Sequence, residues 1–358
     1  MTPEFQIWDA ADPADRRAWL DFWAQWPERE VFGHPAYVRL HAGPGERALC
    51  AAASTGGSCV LYPFLLRPLG GEPFCDVSLR DCADIATPYG YGGPFRWGAA
   101  WNPDAVRAFW LEFDAWAARS RIVSEVVRLS LFPETLVEYA GDRRVLLDNV
   151  VRVLKSEDEL WQEFEHKVRK NVNRARASGV TVRIDENGAR LDDFLAIYTR
   201  TMSRRNAQET YYFPREYFER IQTDLKGQFT YFHAVVGGAA VSTELVLVSA
   251  DRIYSFLGGT DAAWFHVRPN DLLKVEIMNW ARSAGKTEFV LGGGYARDDG
   301  IYRYKLSFAP HGSVPFSLGS RVLSANAYEQ LVRGRRTFAA TEGRQWQPNP
   351  EYFPAYRG

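Results

Sequence analysis

The order of the predicted elements constrains the fold of this chain most, because the same order occurs in both halves. In each half, strands joined by a glycine turn lead into a helix that begins with proline, and a strand follows. The first half has strands at 47–53, 59–66 and 123–131, a turn at Thr55-Gly56-Gly57, and a helix from Pro103. The second half has strands at 229–236, 240–248, 253–257 and 289–291, a turn at Gly237-Gly238, and a helix at 269–283. This repetition predicts two copies of one mixed α/β unit, although the order is common enough to arise by coincidence.

The join between the two halves is predicted near Asp148. A strand at 150–154 and one long helix at 156–178 follow it. Ser156 and Glu159 have the spacing of a capping box at the start of this helix, and Gly179 is a typical C-terminal stop.

Composition excludes several classes of function. The 358 residues carry a net charge of −1, which argues against a general nucleic-acid coat but permits a local basic patch. The four cysteines form no Cys-x-x-Cys pair, so we predict neither a metal site nor a disulfide framework. We also find no signal peptide, no apolar run of about 18 residues, and no P-loop or common hydrolase motif. We therefore expect a cytoplasmic protein without a transmembrane segment.

Two segments bear on the binding of an anionic ligand, one in favour and one against. Five cations stand in the ten residues from Lys167 to Arg176, namely Lys167, Arg169, Lys170, Arg174 and Arg176. They fit a phosphate-rich partner, but acids first and bases last is also what the helix dipole favours without any ligand. The helix entry at Arg268-Pro269-Asn270 has no glycine turn for a cofactor pyrophosphate, and Asp271 would repel one, which argues against acyl-CoA as a donor.

A third segment runs from Gly292 to Phe308. Gly292, Gly293 and Gly294 follow a strand and permit a close backbone approach, for example to a substrate. We predict a strand from Tyr302 to Phe308, with Arg303, Lys305 and Ser307 on its polar face. If that face lines a cleft, Lys305 could stabilise an oxyanion and Arg303 could hold a phosphate or carboxylate. An ordinary strand with solvated cations is the alternative.

These motifs together resemble the Fem family of peptidoglycan-bridge aminoacyltransferases. The resemblance rests on KVRKNVNRARASGV, on the stretch from YSFLGG through VRPNDLL to FVLGGG, and on DGIYRYKLSF, with fainter support from HPAYVRL and TPYGYGGP. It implies an α/β fold of two tandem GNAT-like acyltransferase domains, at 1–148 and 149–318, with the tail 319–358 packing back on the first. It also implies transfer of an aminoacyl group from aminoacyl-tRNA to an amine on a cell-wall precursor.

The resemblance also implies roles for particular residues. Lys305 corresponds to the family's transition-state lysine, with Tyr304 beside it. Arg39, Arg204 or Arg205, and Tyr254 resemble positions that bind the precursor, and the basic helix is expected to bind tRNA. The resemblance does not identify the base, which is supplied either by the substrate or by a residue such as Asp298 or Asp299.

Three functions stay open. The first is aminoacyl transfer from aminoacyl-tRNA, with no further cofactor, to a peptidoglycan precursor or a peptide-like natural product. The second is a CoA-dependent N-acyltransferase acting on a sugar or polysaccharide precursor. The third is a catalytically silent homologue that binds RNA or a wall precursor. Peripheral membrane contact is compatible with each, and neither the amino acid, the acceptor nor the oligomeric state follows from the sequence.

Overall fold

The computed structural model describes residues 4–99 and 101–358 of the chain. They divide into two compact units. The first comprises residues 4–27, Phe32–Leu146 and Phe316–Gly358, and the second comprises Glu28–Val31 and Leu147–Pro315.

The described residues form mixed α/β structure throughout. The strands are β1 Glu4–Asp9, β2 Arg47–Thr55, β3 Ser58–Pro68, β4 Ala83–Ala86, β5 Phe95–Gly98, β6 Ile122–Arg128, β7 Asp142–Val153, β8 Thr181–Asp185, β9 Phe229–Val236, β10 Ala239–Val248, β11 Arg252–Thr260, β12 Glu288–Gly293 and β13 Ser313–Val322. The helices are α1 Pro13–Ala24, α2 Pro35–Leu40, α3 Pro103–Arg119, α4 Glu157–Glu163, α5 His166–Ala177, α6 Leu191–Arg205, α7 Arg215–Asp224, α8 Pro269–Ser283, α9 Gly300–Leu306 and α10 Ala325–Thr341.

The first unit contains a mixed sheet in the order β1-β2-β3-β4-β6-β13, with β5 paired to β3. The antiparallel β2–β3 hairpin turns at Gly56 and Gly57, which both have positive φ. β4 and β6 are parallel neighbours, and α3 lies between them in the chain. Parallel neighbours require such a crossover connection.

The second unit repeats this arrangement. Its sheet has the order β7-β12-β11-β10-β9-β8, and the β9–β10 hairpin turns at Gly237 and Gly238. β11 and β12 are parallel neighbours joined through α8. α8 begins with proline and buries a broad apolar face, as the sequence predicts. The predicted repetition of strands, helix and strand is therefore present in the structure.

Two predictions in the second unit are wrong. The predicted helix at 156–178 is two helices, because Phe164 and Glu165 have extended backbone between α4 and α5. The Ser156–Glu159 capping box is nevertheless present, and Gly179 has positive φ just beyond α5.

The predicted strand from Tyr302 to Phe308 is also wrong, because Gly300–Leu306 is the helix α9. The side chain of Asp299 accepts a hydrogen bond from the backbone N–H of Tyr302 and so caps the start of this helix. The aromatic rings of Tyr304 and Phe308, four residues apart, then pack together at 5.2 Å.

The helices were compared with the requirements for a membrane span. Among residues 4–99 and 101–358, no helix combines the length and the apolar character that a membrane span requires.

Candidate active site

The centre of the second sheet contains an opening between β11 and β12. These parallel strands pair only through Arg252–Tyr254 and Glu288–Val290. Beyond that point β11 stays paired with β10 as far as Thr260, and β12 stays paired with β7 as far as Gly293. The two strands therefore separate toward their carboxyl ends, which is where open α/β sheets bind ligands.

The three glycines at the end of β12 are required for two different reasons. Gly292 has a φ of +81°, a backbone conformation that favours glycine. A Cβ on Gly293 would lie 2.9 Å from the Asn149 side chain, and a Cβ on Gly294 would lie 2.2 Å from the Asp299 carboxylate. The close approach predicted from the sequence is thus made to residues of the chain itself. A substrate contact at these glycines stays a prediction.

Asp299 fixes the loop that leads from β12 to α9. Its carboxylate accepts hydrogen bonds from the backbone N–H groups of Tyr295, Ala296 and Tyr302, at 2.6, 3.2 and 2.7 Å. Desolvation opposes the effect of these donors, but the net result is that the pKa of Asp299 is lowered. A carboxylate held in this way is a poor general base, so the structure disfavours that role for Asp299.

Lys305 lies near the end of α9, which follows the loop fixed by Asp299, and its side chain turns back toward the opening. Its Nζ donates a hydrogen bond of 2.7 Å to the carbonyl of Gly293, the last residue of β12. The side chain is partly buried. Burial, followed by the positive charge of Lys274, lowers the pKa of Lys305 to about 8, against the opposing charges of Glu244 and Asp299. Lys305 therefore remains mainly protonated at neutral pH and can donate to a developing oxyanion.

A buried ion pair lies on the other wall of the opening. The Lys274 Nζ donates to the Glu244 carboxylate at 2.5 Å and to the Ser255 hydroxyl at 2.9 Å. Lys274 is 5% exposed and Glu244 is 4% exposed. Ser255 is the first residue of β11 beyond its pairing with β12. The opening thus has one lysine neutralised by a direct carboxylate partner and a second lysine, Lys305, hydrogen-bonded to a carbonyl.

Tyr304 is held in place by the start of α8. The Asn270 side-chain amide donates to the Tyr304 hydroxyl at 2.7 Å. Burial raises the pKa of Tyr304 well above its ordinary value, and the charges of Asp271 and Glu244 act in the same direction. The hydroxyl therefore stays protonated. Asn270 and Lys274 are four residues apart and so lie on one face of α8, toward Tyr304 and Lys305.

The N-terminus of α8 is occupied by the protein's own groups. Pro269 contributes no N–H. Asp271 lies in the first turn of α8, and this residue is only 6% exposed. This carboxylate accepts a hydrogen bond from the Asn171 amide at 2.9 Å. Burial raises the pKa of Asp271, while Asn171, Arg268 and Lys167 oppose the rise. A carboxylate thus already lies where a pyrophosphate would be bound by a helix N-terminus.

The other residues predicted to bind substrate lie in several places. Tyr254 is buried, and its hydroxyl donates to Glu30 at 2.7 Å, whereas its neighbour Ser255 contacts Lys274. Arg204 donates to the carbonyl of Thr260 at the end of β11. The remaining members are exposed or partly exposed: Arg205 at the end of α6, Arg303 on α9, and Arg39 on α2 of the first unit.

The basic helix α5 divides into two sets of cations. Arg169 donates to the carbonyls of Phe164 and Gln162 and so caps the end of α4, and Arg176 pairs with Glu276 at 3.2 Å. Lys167, Lys170 and Arg174 are exposed. The first set has a structural role that needs no ligand, and the second set is available to a polyanion.

Sequence reasoning did not identify Lys274, Glu244 or Asn270. One signal was present for Lys274, because it is a lysine between Leu273 and Val275 on a helix whose face is apolar. A cation at such a position requires a buried partner. Nothing in the sequence indicates that this partner is Glu244.

Known proteins share the fold of this chain. Residues 162–306 match a family described as an acetyltransferase (GNAT) domain. The crystal structure of FemX is similar with a TM-score of 0.66 and 14% identity, covering 88% of this chain and 97% of that one. Among curated protein sequences, none matches this chain.

Two further structures have lower similarity. One is the C-terminal domain (DUF2156) of a putative lysylphosphatidylglycerol synthetase from Agrobacterium fabrum, with a TM-score of 0.53 and 14% identity over 91% of this chain and 96% of that one. The other is L-PGS from Bacillus licheniformis, with a TM-score of 0.54 and 12% identity over 92% and 98%. Identities this low show the fold alone. At that level, the predicted tandem GNAT-like architecture and the resemblance to the Fem family are confirmed.

Proposed function

We propose that this protein transfers an aminoacyl group from aminoacyl-tRNA to an amine, in the cytoplasm where charged tRNA is made. The observation that carries the proposal is Lys305, a protonated and partly buried amine at the opening between β11 and β12. A peptidoglycan precursor is the acceptor class that the Fem-like fold favours. A peptide-like natural product has the same reacting group.

The chemistry needs little beyond a cation and good positioning. The acceptor amine attacks the ester carbonyl, a C–N bond forms, and the carbonyl oxygen becomes an oxyanion beside Lys305. The C–O bond to the ribose then breaks, and the proton lost by the amine ends on the released ribose hydroxyl. Because the ester is already activated, the proposed catalysis consists of orientation and oxyanion stabilisation.

The N-terminus of α8 supports tRNA over acyl-CoA as the donor. Pro269 removes one N–H donor there, and the buried Asp271 carboxylate would lie against a cofactor pyrophosphate. Two negative groups in such close contact repel each other strongly when water is excluded. CoA-dependent acylation of a sugar or polysaccharide precursor is therefore the second candidate. A catalytically silent protein that only binds its ligand is the third candidate.

One of the similar structures supports the aminoacyl group as the transferred group. It is described as a domain of a putative lysylphosphatidylglycerol synthetase, and the lysyl in that name is an aminoacyl group. The same name indicates an acceptor, phosphatidylglycerol, which carries hydroxyl groups and lies at a membrane surface. A lipid acceptor and peripheral membrane contact are thus outcomes that the donor assay should include.

Mass spectrometry of the products tests the donor. Purified protein is supplied with charged tRNA or acetyl-CoA and with peptide, sugar or phosphatidylglycerol vesicle acceptors. We expect transfer from charged tRNA and none from acetyl-CoA. Transfer from acetyl-CoA alone would refute the proposed donor, and no transfer with any pair would favour the binding protein.

The exposed cations of α5 give an independent test of tRNA binding. Replacing Lys167, Lys170 and Arg174 by alanine should weaken tRNA binding and make the negative slope of log K against log salt shallower by about 2–3, from roughly 0.7–0.9 per lost contact. Arg107→Ala with Arg119→Ala, on the exposed face of α3, is the matched control. An unchanged slope in the α5 variant would assign these cations to a solvated helix face.

A further inference from the structure

Two exposed aromatic rings lie in the loops that follow the strands of the opening. Among the described residues of the second unit, three aromatic side chains stand out by their exposure: Tyr212 at 42%, Phe265 at 43% and Tyr295 at 64%. Phe265 lies in the 3-10 helix Ala262–Val267 after β11, and Tyr295 lies in the loop after β12. Both loops leave the carboxyl ends of the strands that separate at the candidate site.

Two consecutive arginines, Arg204 and Arg205, interact with Phe265 and Tyr295. The Arg204 guanidinium lies 4.9 Å from the centre of the Phe265 ring and is anchored by its hydrogen bond to the Thr260 carbonyl. Burial and the neighbouring Tyr211 raise the pKa of Tyr295, and the charge of Arg205 opposes that rise. Arg204 and Arg205 are consecutive at the end of α6. Arg204 therefore lies beside the Phe265 ring, and the next residue, Arg205, acts electrostatically on Tyr295.

The rings are held in place although they are exposed. The backbone N–H of Tyr295 is bound by Asp299, and its ring contacts Tyr211 at 6.3 Å. The 3-10 helix that carries Phe265 is capped by Asp261 and packs against α5, the helix with the exposed cations. Ordered aromatic faces beside arginines, continuing into a basic helix, are what single-stranded nucleic acid requires from a protein.

We propose that Phe265 and Tyr295 form a stacking platform for the single-stranded 3′ end of RNA. This inference rests on the proposed tRNA donor, because the 3′ end of a charged tRNA carries the aminoacyl ester. Bases would stack on the two rings, Arg204 and Arg205 would contact the phosphates between them, and the terminal ester would enter the opening toward Lys305. The exposed cations of α5 would contact the adjoining duplex.

A pair of RNA hairpins tests the platform. One hairpin has four unpaired 3′ nucleotides and the other has the same stem with a blunt end, and binding is measured by fluorescence anisotropy. The wild type should bind the overhang hairpin about ten to a hundred times more tightly. Phe265→Ala and Tyr295→Ala should each reduce that advantage about tenfold and leave the affinity for the blunt hairpin unchanged.

The controls separate stacking from charge and from folding. Phe265→Trp and Tyr295→Phe keep an aromatic face and should keep the advantage. Tyr352→Ala, which removes a ring that is 48% exposed in the first unit, should also keep it. The salt dependence of binding should not change in the alanine variants, since no charge is removed, and each variant should retain the wild-type Tm.

The possible failures are distinguishable. If the wild type binds both hairpins equally, or if the alanine variants retain the full advantage of the overhang, the platform is refuted while the tRNA donor stands. If neither hairpin binds and charged tRNA gives no product, the proposed donor is refuted together with the platform. Adenosine monophosphate that binds as tightly as the overhang hairpin would also refute an RNA platform and assign the rings to a free nucleotide.

Discussion

Replacement of Lys305 by methionine tests the centre of the proposed chemistry. Methionine keeps a long unbranched side chain and removes the charge that faces the oxyanion. Loss of one oxyanion donor typically costs about 2.7–4 kcal/mol, so kcat for aminoacyl transfer should fall about 10²–10³-fold. KM should change little, because the interaction is made in the transition state and not in the ground state.

The pH dependence of the wild type gives a sharper form of the same prediction. Burial and the charge of Lys274 lower the pKa of Lys305 to about 8. The amine is then about nine-tenths protonated at pH 7 and about one-tenth protonated at pH 9. If the protonated form stabilises the oxyanion, kcat should fall with a midpoint near pH 8. If Lys305 had the ordinary lysine pKa of about 10.4, it would stay protonated at pH 9 and kcat would not fall there.

The assay is single-turnover transfer from charged tRNA between pH 6.5 and 9.5, corrected for spontaneous hydrolysis of the ester. Lys286→Met is the matched control, because Lys286 is another partly buried lysine in the same unit whose pKa is lowered by burial. Its Nζ donates to the carbonyls of Ser249 and Ala250, in the turn between β10 and β11, and not to Gly293. Full activity in Lys305→Met would refute the reasoning. A rate that rises through pH 8 in the wild type but not in Lys305→Met would make Lys305 a base and not an oxyanion donor.

Three further predictions concern the support of Lys305. Glu244→Gln should shift the midpoint of the pH–rate profile below 8, since it removes a charge that raises the pKa of Lys305; an unshifted midpoint would show that the two groups are not coupled. Gly294→Ala should lower both Tm and kcat, because its Cβ would lie 2.2 Å from the Asp299 carboxylate, whereas Gly300→Ala meets nothing within 4 Å and should be harmless; equal effects would contradict this assignment. Lys305→Met should be at least as stable as the wild type at pH 7 in chemical denaturation. The folded-state pKa of about 8 lies below the unfolded value of about 10.4, so wild-type stability rises with pH between them, and the advantage of the variant should shrink over that window.

Local signals predicted most of the second unit. The glycine turn at Gly237-Gly238, the proline start of α8 and the Ser156–Glu159 capping box each depend on a few adjacent residues, so each is readable from the sequence. The break between α4 and α5 was missed because no proline or glycine marks it. It depends on Arg169, whose side chain binds the carbonyls at the end of α4. That contact exists only after the two helices have packed.

The candidate site was only partly predictable for the same reason. Lys305 could be proposed from a family resemblance, but its low pKa depends on burial and on Lys274, which is 31 residues away in the chain. The partner of Lys274 is Glu244, on a different strand. Tertiary packing determines both relations, and no periodicity in the sequence encodes them.

The helical form of Gly300–Leu306 changes the chemistry that the segment can perform. In the predicted strand, Arg303 and Lys305 would share one face and act on the same ligand. Two residues apart on a helix, their side chains diverge by about 200°. Accordingly, Arg303 is exposed, whereas Lys305 turns back to the Gly293 carbonyl. The alternation of aromatic and polar residues in this segment therefore reflects helix packing, through the Tyr304–Phe308 contact four residues apart. It also leaves Lys305 as the cation of α9 that lies at the opening, which is why its removal, and not that of Arg303, is the decisive test of the proposed reaction.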